Sequence, residues 1–191
     1  MKFAHALCLI AILMSAAILP MSGYQNAGVN QWRRSKDTDF RGNVYNQFEL
    51  TGKFIKTPGS DSIDTPSLLV RCRQARSGQE SGGKFSSASL RVGIPLKIDY
   101  VEPEVIHGIG YYPKVRVRYR LDEGKERQEE WDSGAEKNSS SMSKDSLKRL
   151  LGARTVLMTV QDSSEADVTM QFDFPDSAEM ESACRLGHPK K

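Results

Sequence analysis

The chain has 191 residues, 27 basic and 24 acidic, for a formal net charge of +3. A charge so nearly balanced does not argue for a nucleic-acid partner, which calls for a strongly basic face. One apolar run stands at the N-terminus, and no later segment approaches the ~20 apolar residues of a membrane span, so none is expected there.

The first residues carry the pattern of an export signal. Lys2 supplies the positive start, Leu7 to Met14 the apolar stretch, and Ser15-Ala16-Ala17 a small-x-small cleavage site. The signal is placed within residues 1–23, with a second cleavage position after Gly23; the alternative is an uncleaved anchor. Export puts the folded chain in the periplasm or outside the cell, where thiols oxidise. Cys8 falls inside the signal, which leaves Cys72 and Cys184. An even pair in an exported chain suggests one disulfide, two free buried thiols being the alternative.

Residues 24–42 are polar, with Trp32 and Phe40 as the large apolar groups, and are expected to be a partly disordered lead-in. A single β-rich domain is expected over residues 43–185, with 186–191 as a tail. Val44, Phe48, Leu50 and Phe54 alternate with gaps, which predicts a first strand over residues 43–55. Thr57 to Pro66 is a loop by composition. Leu68, Val70 and Cys72 share one face of a second strand, with Arg71 and Arg73 on the other. Residues 77–89, rich in Gly and Ser, read as a flexible connection or an insertion. The unbroken series Leu90, Val92, Ile94, Leu96, Ile98 and Tyr100 predicts a strand over residues 90–101, interrupted or at an edge because of Pro95.

The clearest hairpin is predicted over residues 114–131. Val115, Val117, Tyr119 and Leu121 form its inner row, and Lys114, Arg116, Arg118 and Arg120 its outer row. A three-residue turn at Asp122-Glu123-Gly124, with positive φ at Gly124, sets Arg120 opposite Glu126 and Arg116 opposite Glu130. A two-residue turn would oppose Arg120 to Arg127, so the three-residue register is favoured. After the serine run 139–143, Ser143 caps a short helix with Leu147, Leu150 and Leu151 on its apolar stripe and Gly152 as its C-terminal glycine. A final hairpin turns around Asp162 to Glu165. A terminal helix follows Pro175, with Asp176 and Glu179 spaced as a capping box and Met180, Ala183 and Cys184 on its inner face. Cys72 and Cys184 are thus both aimed at the core. Strands in series with two brief helices indicate a mainly β fold: an antiparallel, sandwich-like sheet with two short α-helices, the last at the C-terminus.

Little in the chain suggests chemistry. His107 lies in a loop and His188 in the tail; no His pair or Cys-x-x-Cys has metal-ligand spacing, so no metal and no cofactor is expected. No Gly-x-Ser-x-Gly elbow is present, and bridged cysteines leave no free thiol nucleophile. Asp162, Glu165 and Asp167 read as turn acids rather than a calcium site, and Asn138-Ser139-Ser140 matches a glycosylation sequon of high chance rate. Arg116, Arg118 and Arg120, with Tyr111 and Tyr112, are the candidate binding surface. A solvated sheet face is the favoured use of the arginines and core-rim packing that of the tyrosines.

Several segments recur in a familiar order: Pro66 to Cys72, Val117 to Asp122 with Trp131-Asp132-Ser133 downstream, Leu150-Leu151-Gly152-Ala153 before a strand pair ending at Phe174, and lastly Cys184. In this the chain resembles, at a distance, the periplasmic accessory proteins of type VI secretion, the VasI/TagO-like proteins. The resemblance implies an envelope or secretion-machinery protein as partner, no catalytic residues, and pairing of Cys72 with Cys184. The function expected is therefore that of an exported, non-enzymatic envelope protein acting through protein contacts. The alternative is a binding module for glycan or another polar ligand.

Overall fold

The computed structural model describes residues 31–56, 64–74, 83–101 and 112–187. The segment expected to be an export signal, Tyr111, His107 and His188 lie outside them. The strands are β1 (Arg33–Thr38), β2 (Val44–Thr51), β3 (Lys53–Lys56), β4 (Ser67–Arg73), β5 (Lys84–Arg91), β6 (Asp99–Val101), β7 (Tyr112–Leu121), β8 (Glu126–Ser133), β9 (Ser139–Met142), β10 (Thr155–Gln161) and β11 (Asp167–Asp173). The helices are α1 (Lys144–Leu151) and α2 (Ala178–Cys184). The fold is mainly β, with all strand pairs antiparallel and the second helix near the C-terminus.

The strands join into one sheet in the order β1-β2-β4-β5-β9-β8-β7-β10-β11-β3, with β6 beside β7. One face of this sheet is buried from β2 to β11, while the end strands β1 and β3 are largely exposed. Phe48 and Leu50 of β2, Val70 and Cys72 of β4, Leu90 of β5, Trp131 of β8, Val117 and Tyr119 of β7, Met158 of β10 and Phe172 of β11 share a single core with Leu147, Leu150 and Met180 of the helices. Alternation places these side chains inward, and each aliphatic or aromatic group so buried contributes roughly 1.5–3 kcal/mol.

The sheet curls until its two ends meet, so its layers face each other across that core. Only Gly52 separates β2, near one end, from β3 at the other. Trp32, just before β1, packs edge-on against Phe174, just after β11, at 6.0 Å. Gly52 makes the corner possible by lacking a side chain. A Cβ there would stand 2.6 Å from Phe172 Cε1 and 2.9 Å from the Gln171 carbonyl oxygen. Phe172 is wholly buried and has nowhere to retreat. Gly52→Ala is expected to cost about 1–3 kcal/mol through overpacking, read as a lowered midpoint in urea unfolding.

The hairpin register matches the charge argument. Arg120 pairs with Glu126, Arg116 with Glu130 and Val115 with Trp131. The turn differs in one respect: positive φ falls on Asp122, at 48°, and Gly124 is not in that region. Asp tolerates this conformation, and the Asp122 carboxylate accepts the backbone N–H groups of Arg154 and Thr155 at 3.0 and 2.9 Å. That pins the turn to the start of β10.

Several expectations change. The lead-in is ordered from Arg33 to Thr38, because β1 pairs along its whole length with β2 and so has its backbone bonds supplied by a neighbour. The single strand over residues 43–55 is two, broken at Gly52. The Gly/Ser-rich connection contains most of β5, held between β4 and β9. The strand over residues 90–101 is not continuous: past Arg91 the chain makes an isolated bridge between Leu96 and Asp162 before β6, as a proline that cannot donate a ladder bond requires. The serine run is β9, bridging β5 and β8.

The helix ends were partly legible. Ser143 caps α1, its hydroxyl accepting from Ser146 N–H at 3.0 Å, but Gly152 keeps right-handed φ and ψ. The capping box at α2 does not form. Asp176 accepts from Ala178 N–H at 2.9 Å, and Glu179 instead reaches Arg34 of β1. Arg185 takes φ 47° and closes α2, with Leu186 N–H donating to the Glu181 carbonyl and Arg185 N–H to that of Ser182. The chain so turned buries Leu186 in the core, so the expected tail does not begin at residue 186.

Candidate functional site

The basic row of β7 lies on the outer face of the curled sheet, since Val115, Val117 and Tyr119 take the inner one. Three of its four side chains have a carboxylate partner. Lys114 Nζ is 2.6 Å from Asp132, Arg116 is 3.4 Å from Asp99 across the β6 pairing, and Arg118 is 2.7 Å from Asp167 at the start of β11. Arg116 and Arg118 line one shallow groove of about 310 Å³ with Gln128, Thr159, Gln161 and Asp167. Register explains the gathering: Gln128, Arg118, Thr159 and Thr169 form one row across β8, β7, β10 and β11. The Thr159 and Thr169 hydroxyls are 3.0 Å apart.

Of the residues expected to bind, the structure therefore brings Arg116 and Arg118 into one groove. Arg120 is exposed one step further along the row and does not line it. Tyr112 is 59% exposed, on the same outer row as the arginines, so core-rim packing is not its use. Tyr111 lies outside the described residues. Exposed ion pairs contribute about 0–1 kcal/mol each. The double variant Arg116→Ala with Arg118→Ala is thus expected to fold and to melt within a few degrees of the parent; a collapse in melting temperature would place the row inside.

A second polar cluster was not anticipated. Glu129, two residues before the buried Trp131, points to the inner face and accepts from four donors. These are the Tyr119 hydroxyl, Trp131 Nε1–H at 2.9 Å, the Ser146 hydroxyl at 2.6 Å and the Arg149 guanidinium at 2.6 Å. Burial works against the charge, but the donors from Ser146, Trp131, Tyr119 and Arg149 outweigh it and hold the carboxyl at about 2. The same burial and the neighbouring Glu129 raise the Tyr119 phenol. The cluster ties α1 to β7 and β8. The signal that would have found it is an acid at an inward position of an alternating strand.

Other perturbed acids are also spent on turns. Asp39 is lowered to about 2, first by the Asn43 side chain and then by backbone N–H groups of Asn43 and Arg41 and the Tyr45 hydroxyl, against burial. Asp162 is lowered by the Ser164 hydroxyl and by Ala166 and Ser164 N–H groups. Of the acids weighed as a calcium site, Glu165 pairs with Lys97 and Asp167 with Arg118. Among the described residues no group of three or more His, Cys, Asp or Glu side chains gathers as a metal site. Arg71 pairs with Asp37 at 2.6 Å and stacks over Tyr45, and Arg73 donates to Asn43.

The sulfurs of Cys72 and Cys184 meet as a disulfide, with Cα atoms 5.0 Å apart and a separation of 112 positions along the chain. Both cysteines are wholly buried. Among the described residues no helix is long and apolar enough to cross a membrane. No family model, curated protein or solved structure matches this chain.

Proposed function

We propose that the chain is an exported, non-enzymatic envelope protein that acts through contacts with another protein, as an accessory of a type VI secretion machine. The observation that carries this reading is the buried Cys72–Cys184 bond, the chemistry of an oxidising compartment, joined to a signal-like N-terminus. The perturbed carboxylates support a scaffold, because Glu129, Asp39 and Asp162 are saturated by internal donors. The outer face supports contact with a protein: the basic row of β7 runs beside the acidic row Glu126, Glu130 and Asp132 of β8, a pattern suited to steering and orienting a charged partner. The setting comes from the family resemblance alone.

Two measurements test this. Intact-mass analysis of authentic material without reductant should find the two sulfurs bonded; two protonated thiols overturn the export reading. The secreted form, used as bait in an envelope extract, should retain a protein that high salt releases. Retention of glycan with no protein would reverse the ranking. A second reading, a polar-ligand module, is favoured by the groove that Arg116 and Arg118 share.

A further inference from the structure

We infer that this groove binds a neutral, polyhydroxylated glycan chain, laid along β7 from Arg118 towards Tyr112. The inference rests on the second reading, the polar-ligand module, and names its ligand class. Charge is the first argument. Lys114, Arg116 and Arg118 each have a carboxylate at hand, in Asp132, Asp99 and Asp167. An anion would have to compete with these acids, whereas a neutral ligand leaves the pairs intact.

Hydrogen-bonding capacity is the second. The Arg118 guanidinium is anchored to Asp167 at one nitrogen and keeps further N–H groups, fixed in a plane, for a ligand. Gln128 and Gln161 add amides that donate and accept, and Thr159 adds a hydroxyl. Such planar groups, spaced by the sheet, can grip adjacent hydroxyls as donor and acceptor together. Among the described residues the groove's one apolar lining residue is Val160, itself buried, so no aromatic or long aliphatic side chain serves there as the apolar anchor of a protein interface.

Position is the third. Tyr112 stands four residues from Arg116 on the same outer row, about 13 Å along the strand. Its exposed ring can take the C–H face of a sugar ring while its hydroxyl stays in water. The ligand is thus stacked at one end and hydrogen-bonded at the other.

The test is titration of the isotopically labelled secreted protein with chitotetraose, cellotetraose, maltotetraose and, as an anionic chain, polygalacturonate. Each small sugar is taken to about 10 mM, which suffices for millimolar affinity. At least one neutral sugar is expected to shift the amides of Arg116, Arg118, Gln128 and Gln161 saturably. Half-molar salt should change that affinity by less than about twofold, since no ion pair is formed with the ligand. Tyr112→Ala and Gln161→Ala should each weaken it roughly fivefold or more while the melting temperature holds. Binding of polygalacturonate alone, stripped by salt, would overturn the neutral-glycan assignment and leave the polar-ligand reading standing. No perturbation by any of the four would overturn both.

Discussion

Replacing both cysteines, Cys72→Ala with Cys184→Ala, is expected to lower the unfolding free energy by about 4–5 kcal/mol, from the loop-closure entropy of a cross-link of this span. For a domain of this size that is a fall of roughly 10–20 °C in melting temperature. The loss arises mainly in the unfolded state, because both alanines fit the buried sites where the sulfurs stood. Thermal unfolding of the double variant beside the oxidised parent measures it. A difference below about 1 kcal/mol would mean that the bond contributes little to stability, against this expectation. Local effects should concentrate on α2, whose other ties include Met180 and the following Leu186 in the core, the Arg34–Glu179 pair and the bond from Lys144 to the Arg185 carbonyl.

Glu129→Ala carries the second large effect, a loss of about 3–5 kcal/mol, because removing the acceptor strands its donors rather than merely deleting one contact. Trp131 and the Tyr119 hydroxyl are held at or near the core and cannot turn to water as Arg149 can. Glu129→Gln, which keeps the shape but donates where it must accept, should recover only part of this. Chemical unfolding of the two variants separates them. The same group makes stability depend on pH. Its folded-state pKa lies at about 2, below the ordinary 4.5, so the contribution is complete above pH 4.5 and declines as pH falls towards 2. The Glu129→Gln variant should lose the part of the acid sensitivity that this carboxylate supplies.

How much of this could be read from the residues depended on whether pairing left a mark in the sequence. The β7–β8 register did, since opposed charges on one face and opposed apolar groups on the other admit one alignment. β10 and β11 did too, through strict alternation. β1, β5 and β9 did not. β1 is a charged edge strand with little buried surface, and its order comes from β2. β5 and β9 are serine-rich, so composition reads as a linker although neighbours on both sides supply their backbone partners. Asp122 and Gly124 exchanged roles because a carboxylate can reward the strained position by capping distant N–H groups, a contact that turn statistics do not contain. Of the candidate site, the arginine row was visible in its spacing. Its neutralisation was not, because Asp99 and Asp167 come from strands remote in sequence.

The cross-link also orders events in time. A chain made from its N-terminus presents Cys72 long before Cys184 exists, so the first thiol waits through the synthesis of seven further strands and α1. The remaining cysteine, Cys8, is its sole earlier rival for oxidation. Excision of the N-terminal peptide would remove that rival and leave a single way to oxidise, with the lock turning last.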